Sequence, residues 1–398
     1  MDSIFFYRNP DSAASGDGAL AGLNIAIQPN ISKAGWPVDA GSRALANFTA
    51  LEDATVVDRL SRSGAFLCGS TKTSEFGFGL AESRAGEAVK QKIADTELVL
   101  DMTGEARLAA AAAGVCGFKP SYGLVSHFGL IGLIPSMETC GVLSSSIQNI
   151  RGILKAVAGP DEKDFSLPDE SVPDFTAQLI NPTKTAIGVP AEAQSDLTDE
   201  QRERFRMSLD ELRQAGFAVR EVSFPEWPLF LTVHKIVGSV EASSAAGRYD
   251  SVRYGERAPG AKNWNEMYLA SRGAAFGTLL KSFLFQGAFF QFQRYTAYED
   301  ACRIRARLVA DMKNLTGEVD FLALPVSGGA SDPNPATLDE TYRQFACTAF
   351  ANVTGQPALV LPPASKGQAP LQLAGPRLSD AGLLSLGEHL LKLREGGK

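Results

Sequence analysis

The sequence is poor in the residues on which metal and thiol chemistry depend. Its three histidines, His127, His234 and His389, lie far apart, and its five cysteines, Cys68, Cys116, Cys140, Cys302 and Cys347, contain no Cys-x-x-Cys pair. This scatter matches no zinc-ligand spacing, so neither a metal site nor a Cys/His nucleophilic pair is expected. An odd number of cysteines in mostly apolar surroundings fits buried, reduced thiols. No lysine- or arginine-rich cluster stands out, and 38 basic against 45 acidic residues give a net charge of -7. Direct binding of nucleic acid is therefore not expected. The chain also lacks an uncharged apolar run of about twenty residues, and its start lacks a basic segment followed by an apolar one. It reads as soluble and cytoplasmic, without a membrane segment.

What is present is an ordinary globular balance, 44% hydrophobic and 21% charged over 398 residues, enough for a large core. Short β-rich runs alternate with helical ones. "GLNIAIQPN" reads as a strand ending in a Pro-Asn turn, "DATVVDRLSRSG" puts Val56, Val57 and Leu60 on one helical face, and "AFLCGS" reads as a buried strand. The same grammar returns in "TKTAIGVP" as strand, "LTDEQRERFRMSLDELRQAG" as helix with Thr198 as cap and Gly216 as stop, and "FAVREVSF" as strand. Such alternation predicts a mixed or parallel sheet wrapped by helices. From 229 to about 314 the pattern becomes helical and aromatic-rich. Phe285, Phe289, Phe290 and Phe292, at helical spacing, are assigned there to core packing rather than to a ligand box. "QPALVLPP" reads as a further strand and "SDAGLLSLGEHLLKLREGGK" as an amphipathic terminal helix, while 159–174 is the best surface connection.

The stretch "LDMTGEARLAAAAAGVCGFKPSYG" (100–123) combines a glycine turn, an alanine-rich helix and a Gly-Phe-Lys-Pro exit. It resembles the amidase signature family, whose motif runs Asp-Thr-Gly-Gly-Ser-x-Arg, a helix of small residues, then Cys-Gly-x-x-Gly-Leu-Lys-Pro. Asp101, Gly104, Arg107, Gly114, Gly117, Lys119 and Pro120 fall in register. Within that family "VEASSAAGRYDSVRYGER" (240–257) and "MYLASRGAAFG" (267–277) are similar to the A subunits of tRNA-dependent amidotransferases. The resemblance implies an α/β fold with a mixed, largely parallel central sheet covered by helices on both faces, and no cofactor. It implies one domain over 1–398, with a core half at 1–160, a second half at 175–398 and a helical layer at 229–314. The family's helical N-terminal extension has no counterpart here.

The resemblance also implies a Ser-Ser-Lys relay, and none of its positions is kept. Gln28 stands where the family places its lysine base, and an amide cannot act as that base. Lys33, five residues further at extended spacing, would sit more than about 10 Å away. Ala81 stands at the shuttle serine, in a region that reads instead as an amphipathic helix with Ala85, Val89 and Ile93 on one face. Ser83, the nearby hydroxyl, is read as a helix cap or surface residue. Glu105 stands at the nucleophile, where its charge would compete for the N–H groups meant for a developing oxyanion. As an acid in a helix's first turn it also gains about 0.3–1 kcal/mol from the helix dipole. The arginine and acid that hold a zwitterionic substrate fall on Lys281-Ser282-Phe283-Leu284 and Tyr342-Arg343-Gln344-Phe345. Free glutamine should then bind poorly.

The scaffold's glycines, prolines and apolar faces persist while the chemistry has gone. This predicts a catalytically inactive amidase-like chain acting as a binding or partner subunit, in a homo-oligomer or with another protein, around a residual pocket lined by Gln28, Glu105, Phe283 and Phe345. An accessory counterpart of those A subunits is one form of that reading. The alternative is a divergent amide or ester hydrolase with a rewired site drawn from Asp101, Glu105, Lys119, Ser126 and Ser136. Against it, Asp101 with Arg107 reads as a structural pair and Lys119 as a carbonyl cap.

Overall fold

The computed structural model describes residues 3–11, 17–328 and 335–396. Its strands are β1 (Phe5–Arg8), β2 (Asn24–Ile27), β3 (Phe66–Thr71), β4 (Thr96–Asp101), β5 (Cys116–Lys119), β6 (Thr139–Ser144), β7 (Ala186–Pro190), β8 (Ala218–Val222), β9 (Phe321–Pro325), β10 (Ala358–Leu361) and β11 (Leu371–Ala374). They join into one sheet in the order β1-β3-β2-β4-β6-β5-β10-β11-β9-β7-β8. The sheet is mixed, as expected, but parallel pairing is confined to β3-β2-β4 and β9-β7-β8. Between β4 and β9 every pairing is antiparallel. Parallel neighbours need a long crossover. Helices α1 (Thr55–Arg62) between β2 and β3, and α5 (Asp199–Gln214) between β7 and β8, supply it at the two flanks.

The remaining helices are α2 (Glu87–Lys90), α3 (Glu105–Ala113), α4 (Ile147–Val157), α6 (Leu229–Ala245), α7 (Trp264–Ala275), α8 (Thr278–Phe292), α9 (Tyr295–Glu318), α10 (Leu338–Gln344), α11 (Ala349–Thr354) and α12 (Asp380–Gly396). Val56, Val57 and Leu60 of α1 pack with α4 and α12 into one large apolar cluster. A second cluster joins α6, α8, α9 and α11. Helix α5 begins at Thr198, whose side chain and that of Gln201 close a reciprocal cap. The segment 159–174 carries no regular element. No helix of the described residues is long and apolar enough to cross a membrane.

Two expectations about helices fail. The helix foreseen around Ala85, Val89 and Ile93 shrinks to the single turn α2, because Gly86 (φ 84°) and Lys92 (φ 58°) take left-handed backbone on either side. The aromatic stripe of α8 is not core: Phe285 and Phe292 are 72% and 74% exposed, and Phe289 is 49% exposed. Helix α8 turns Leu280, Phe283, Leu284 and Gly287 inward instead. It lies so close to α6 that a Cβ on Gly287 would meet the Ser239 carbonyl oxygen at 1.8 Å.

Candidate functional site

The site grows from the helix of small residues. A Cβ on Gly117 of β5 would fall 2.4 Å from the Ala110 methyl, and one on Gly141 of β6 would fall 2.6 Å from the Ala106 methyl. Only glycine under alanine lets α3 lie this close to the sheet, so β4, the turn 102–104 and the start of α3 are held rigidly. Gly104 caps that helix at φ 141°, against Thr348.

Glu105 opens α3 and is 3% exposed. Its Oε2 accepts from the backbone N–H groups of Met102 (2.8 Å), Thr103 (2.7 Å) and Gly104 (3.0 Å), and Oε1 accepts from that of Gly79 (3.3 Å). The carboxylate thus fills a cradle of N–H donors at a helix N-terminus, an arrangement suited to negative charge. Burial, then the nearby Asp101 carboxylate, raises its pKa to about 7, while the N–H bonds oppose that rise. A carboxyl raised in the folded state stabilises fully below its unfolded value near 4.5 and loses that contribution as pH climbs through about 7. E105Q cannot titrate. The stability difference between wild type and E105Q, from urea melts at pH 5 and pH 8, is therefore expected to shift against wild type at the higher pH, by on the order of 3 kcal/mol at most. A pH-independent difference would refute the titration.

Beside the cradle Arg107, fully buried, bonds both oxygens of Asp101 at 3.0 and 3.2 Å. Its other N–H groups reach the Thr348 carbonyl (2.7 Å), Gln372 Oε1 (3.0 Å) and Asn352 Oδ1. Asn352 in turn donates to the Asp101 carboxylate and to the Asp101 and Met137 carbonyls. Against the raising effect of burial, Arg107 holds the Asp101 carboxyl below its ordinary range. The pair read from sequence as structural ties α3, β4, β11 and α11 together.

On the other side His234 Nε2 lies 2.8 Å from the Met102 carbonyl oxygen, which can only accept, so Nε2 carries the proton. Nδ1 then accepts from the Tyr342 hydroxyl at 3.0 Å. Burial lowers His234 to about 4 and, with Glu105 nearby, pushes Tyr342 well above its ordinary value. Sequence reasoning gave neither residue a role beside Glu105. His234 is 132 positions from the carbonyl it binds, and no local pattern marks it.

The side chains expected to line a residual pocket are buried. Gln28, Glu105, Phe283 and Phe345 are each no more than 3% exposed. Phe283 stacks on Phe78 at 4.6 Å, and the Tyr342 ring stands edge-on to Phe78 at 6.1 Å. Phe345 does not join them. It packs with Leu108, Val326 and Val360, because α10 stops at Gln344 and the helical spacing that would align it with Tyr342 ends there. A cleft of about 810 Å³ opens elsewhere, between α5 and α12.

The other sequence candidates are occupied locally. The Gln28 side-chain oxygen accepts from Leu100 N–H (3.2 Å), which places it one residue from Asp101. Ala81 sits half-buried in a turn two residues beyond Gly79, and Ser83 accepts from Ala85 N–H without capping α2. Lys33 pairs with Asp53 at 3.0 Å. Lys119 caps the Pro120 carbonyl at 2.8 Å, and burial, then Arg107, brings its pKa down to about 7. Ser126 bonds Asp161 and Ser136 bonds Glu241 and Arg305, so neither hydroxyl belongs to the Glu105 cradle.

This chain belongs to the amidase family, and its α/β sheet, with an alanine helix seated on strand glycines and launched from a glycine turn, has that family's fold. The family profile, described as Amidase, matches residues 8–91 and 85–384. Among curated relatives, the A subunit of the glutamyl-tRNA(Gln) amidotransferase of Thermus thermophilus is 35% identical over 394 residues, covering 92% of this chain and 83% of that protein. The protein of the same name from Natronomonas pharaonis is 32% identical, with 94% and 96% covered. The crystal structure of the Thermotoga maritima A subunit superposes on 98% of this chain and 87% of that one, with TM-score 0.81 at 22% identity. The peptide amidase of Stenotrophomonas maltophilia gives TM-score 0.75 at 24% identity, covering 95% and 84%. The resemblance to the A subunits seen in 240–277 extends over nearly the whole chain.

Proposed function

We propose that this chain is an amidase-family protein without amide-hydrolase activity that acts as a binding or partner subunit. One observation carries the reading: at the position of the family's nucleophile, the Glu105 carboxylate is itself the occupant of four backbone N–H groups. Acyl transfer needs a free lone pair to attack, a base to take the proton and empty N–H donors for the oxyanion. Here the donors are filled, position 28 offers an amide bound to Leu100 and position 81 a methyl. Aromatic packing of Phe78, Phe283 and Tyr342 beside this cradle argues in the same direction. The partner role draws support from the relatives at 32–35% identity, which are named as subunits.

Ammonia release from glutamine, asparagine and simple aliphatic amides by purified wild type and E105Q tests the proposal. Both proteins are expected to match the protein-free blank. Turnover by wild type that is lost in E105Q would overturn it and establish the rewired hydrolase. An enzyme of ordinary efficiency would stand clear of the blank, since enzymatic accelerations are typically about 10⁶-fold or more.

A further inference from the structure

Helix α8 carries apolar residues on two faces, and its packing against α6 and α9 covers only one. Leu280, Phe283, Leu284 and Gly287 face α6 and the core, while Phe285, Phe289 and Phe292 point away from it. Tyr295, at the start of α9, extends the outward stripe and is 53% exposed. An exposed aromatic stripe is not the polar face that an amphipathic surface helix turns to water. At about 200 Å² for each aromatic side chain, exposures of 72%, 49%, 74% and 53% leave roughly 500 Å² of aromatic surface in water. That is at the upper end of what a monomer exposes, and with a polar rim it approaches the roughly 800 Å² per partner of a stable interface.

A two-fold through the middle of the α8 stripe exchanges Phe285 with Phe292, and places Phe289 opposite Ala288 and Tyr295 opposite Ser282. Phe285 and Phe292 lie equally far from the midpoint between Ala288 and Phe289. Two such helices crossing antiparallel at that midpoint would set Phe285 against the second copy's Phe292, and each Phe289 over the other's small Ala288. A two-fold interface requires this self-complementarity. It also doubles any charge it contains, and from Thr278 to Tyr295 the only charged residues are Lys281 and Arg294, one toward each end of the stripe. A chain of net charge -7 can self-associate through a face whose centre is uncharged. The same acidity, with one lysine on the helix, disfavours an anionic lipid surface.

We propose that the outward face of α8 is a homodimer interface, formed by an antiparallel α8–α8 contact centred on Ala288 and Phe289. The proposal is independent of whether Glu105 supports turnover. Sedimentation velocity of the full chain at tens of micromolar is expected to show a dimer. F289D, and separately F285D/F292D, should weaken it about 100-fold or more. Far-UV circular dichroism should remain unchanged, since these rings face solvent in the single chain. In a C68S/C302S background A288C should crosslink to its own copy with a short bismaleimide. T278C, at the helix start and roughly 15 Å along the axis from the crossing point, should not. A monomeric wild type, a dimer indifferent to F289D, or crosslinking through T278C but not A288C would overturn the proposal. Co-sedimentation with neutral or anionic phospholipid vesicles in place of self-association, abolished by the same variants, would overturn it in favour of a membrane contact.

Discussion

Replacing Arg107 by methionine is expected to cost about 3–5 kcal/mol of unfolding free energy, read as a lowered urea midpoint with unchanged slope. The guanidinium is fully buried and bonds Asp101, Thr348, Gln372 and Asn352, which come from three separate stretches of the chain. Methionine fills much of the volume but leaves the Asp101 carboxylate buried without its cation. That uncompensated charge, more than the lost attraction, makes the substitution costly. The double variant D101N/R107M should consequently lose less than the sum of the two single losses, because no bare charge remains. A loss below about 1 kcal/mol for R107M would show that water or a rearranged Asn352 satisfies Asp101.

Gly104→Ala is expected to cost about 3 kcal/mol, from two causes acting at one atom. Gly104 has φ 141°, a conformation that L side chains rarely adopt. Its new Cβ would also stand 2.2 Å from Thr348 Oγ1 and 2.5 Å from Thr348 Cβ. Thr348 cannot simply rotate away, since Oγ1 donates to the Thr103 carbonyl and its own carbonyl receives Arg107. Shortening it to alanine in the G104A background removes the closer contact but leaves its Cβ in place, so T348A should recover only part of the loss. The N–H of Gly104 is one of the Glu105 donors. Hydrogen exchange at Met102, Thr103 and Gly104 should therefore quicken in G104A even under conditions where the rest of the sheet stays protected. Unchanged exchange in that turn would mean the strain is absorbed elsewhere.

The alternation of strands and helices is readable because each is a local pattern. Val56, Val57 and Leu60 on one face, and Thr198 with Gln201 at a helix start, depend on neighbours three or four residues away. The largely parallel sheet implied by the resemblance is over-read, and local patterns could not correct it: they name strands but not their neighbours, and β6 slots antiparallel between β4 and β5 through contacts distant in sequence. The α8 stripe is misassigned because periodicity shows that a helix has an apolar face without showing whether anything covers it. Glu105, Asp101, Arg107 and Lys119 are legible from their register in one motif. Tyr342 is passed over for Phe345, whose position depends on where α10 ends.

By itself the sequence determined the class of chain, the extent of the amidase resemblance and the side chains at positions 28, 81 and 105, because composition and register are properties of the string. Only the tertiary structure decided what those side chains do. It placed four backbone N–H groups from two segments around Glu105, set His234 and Tyr342 beside them and stacked Phe283 on Phe78. Hydrogen bonds and packing act across space, and spatial neighbours more than a hundred residues apart leave no mark on the local pattern of either segment.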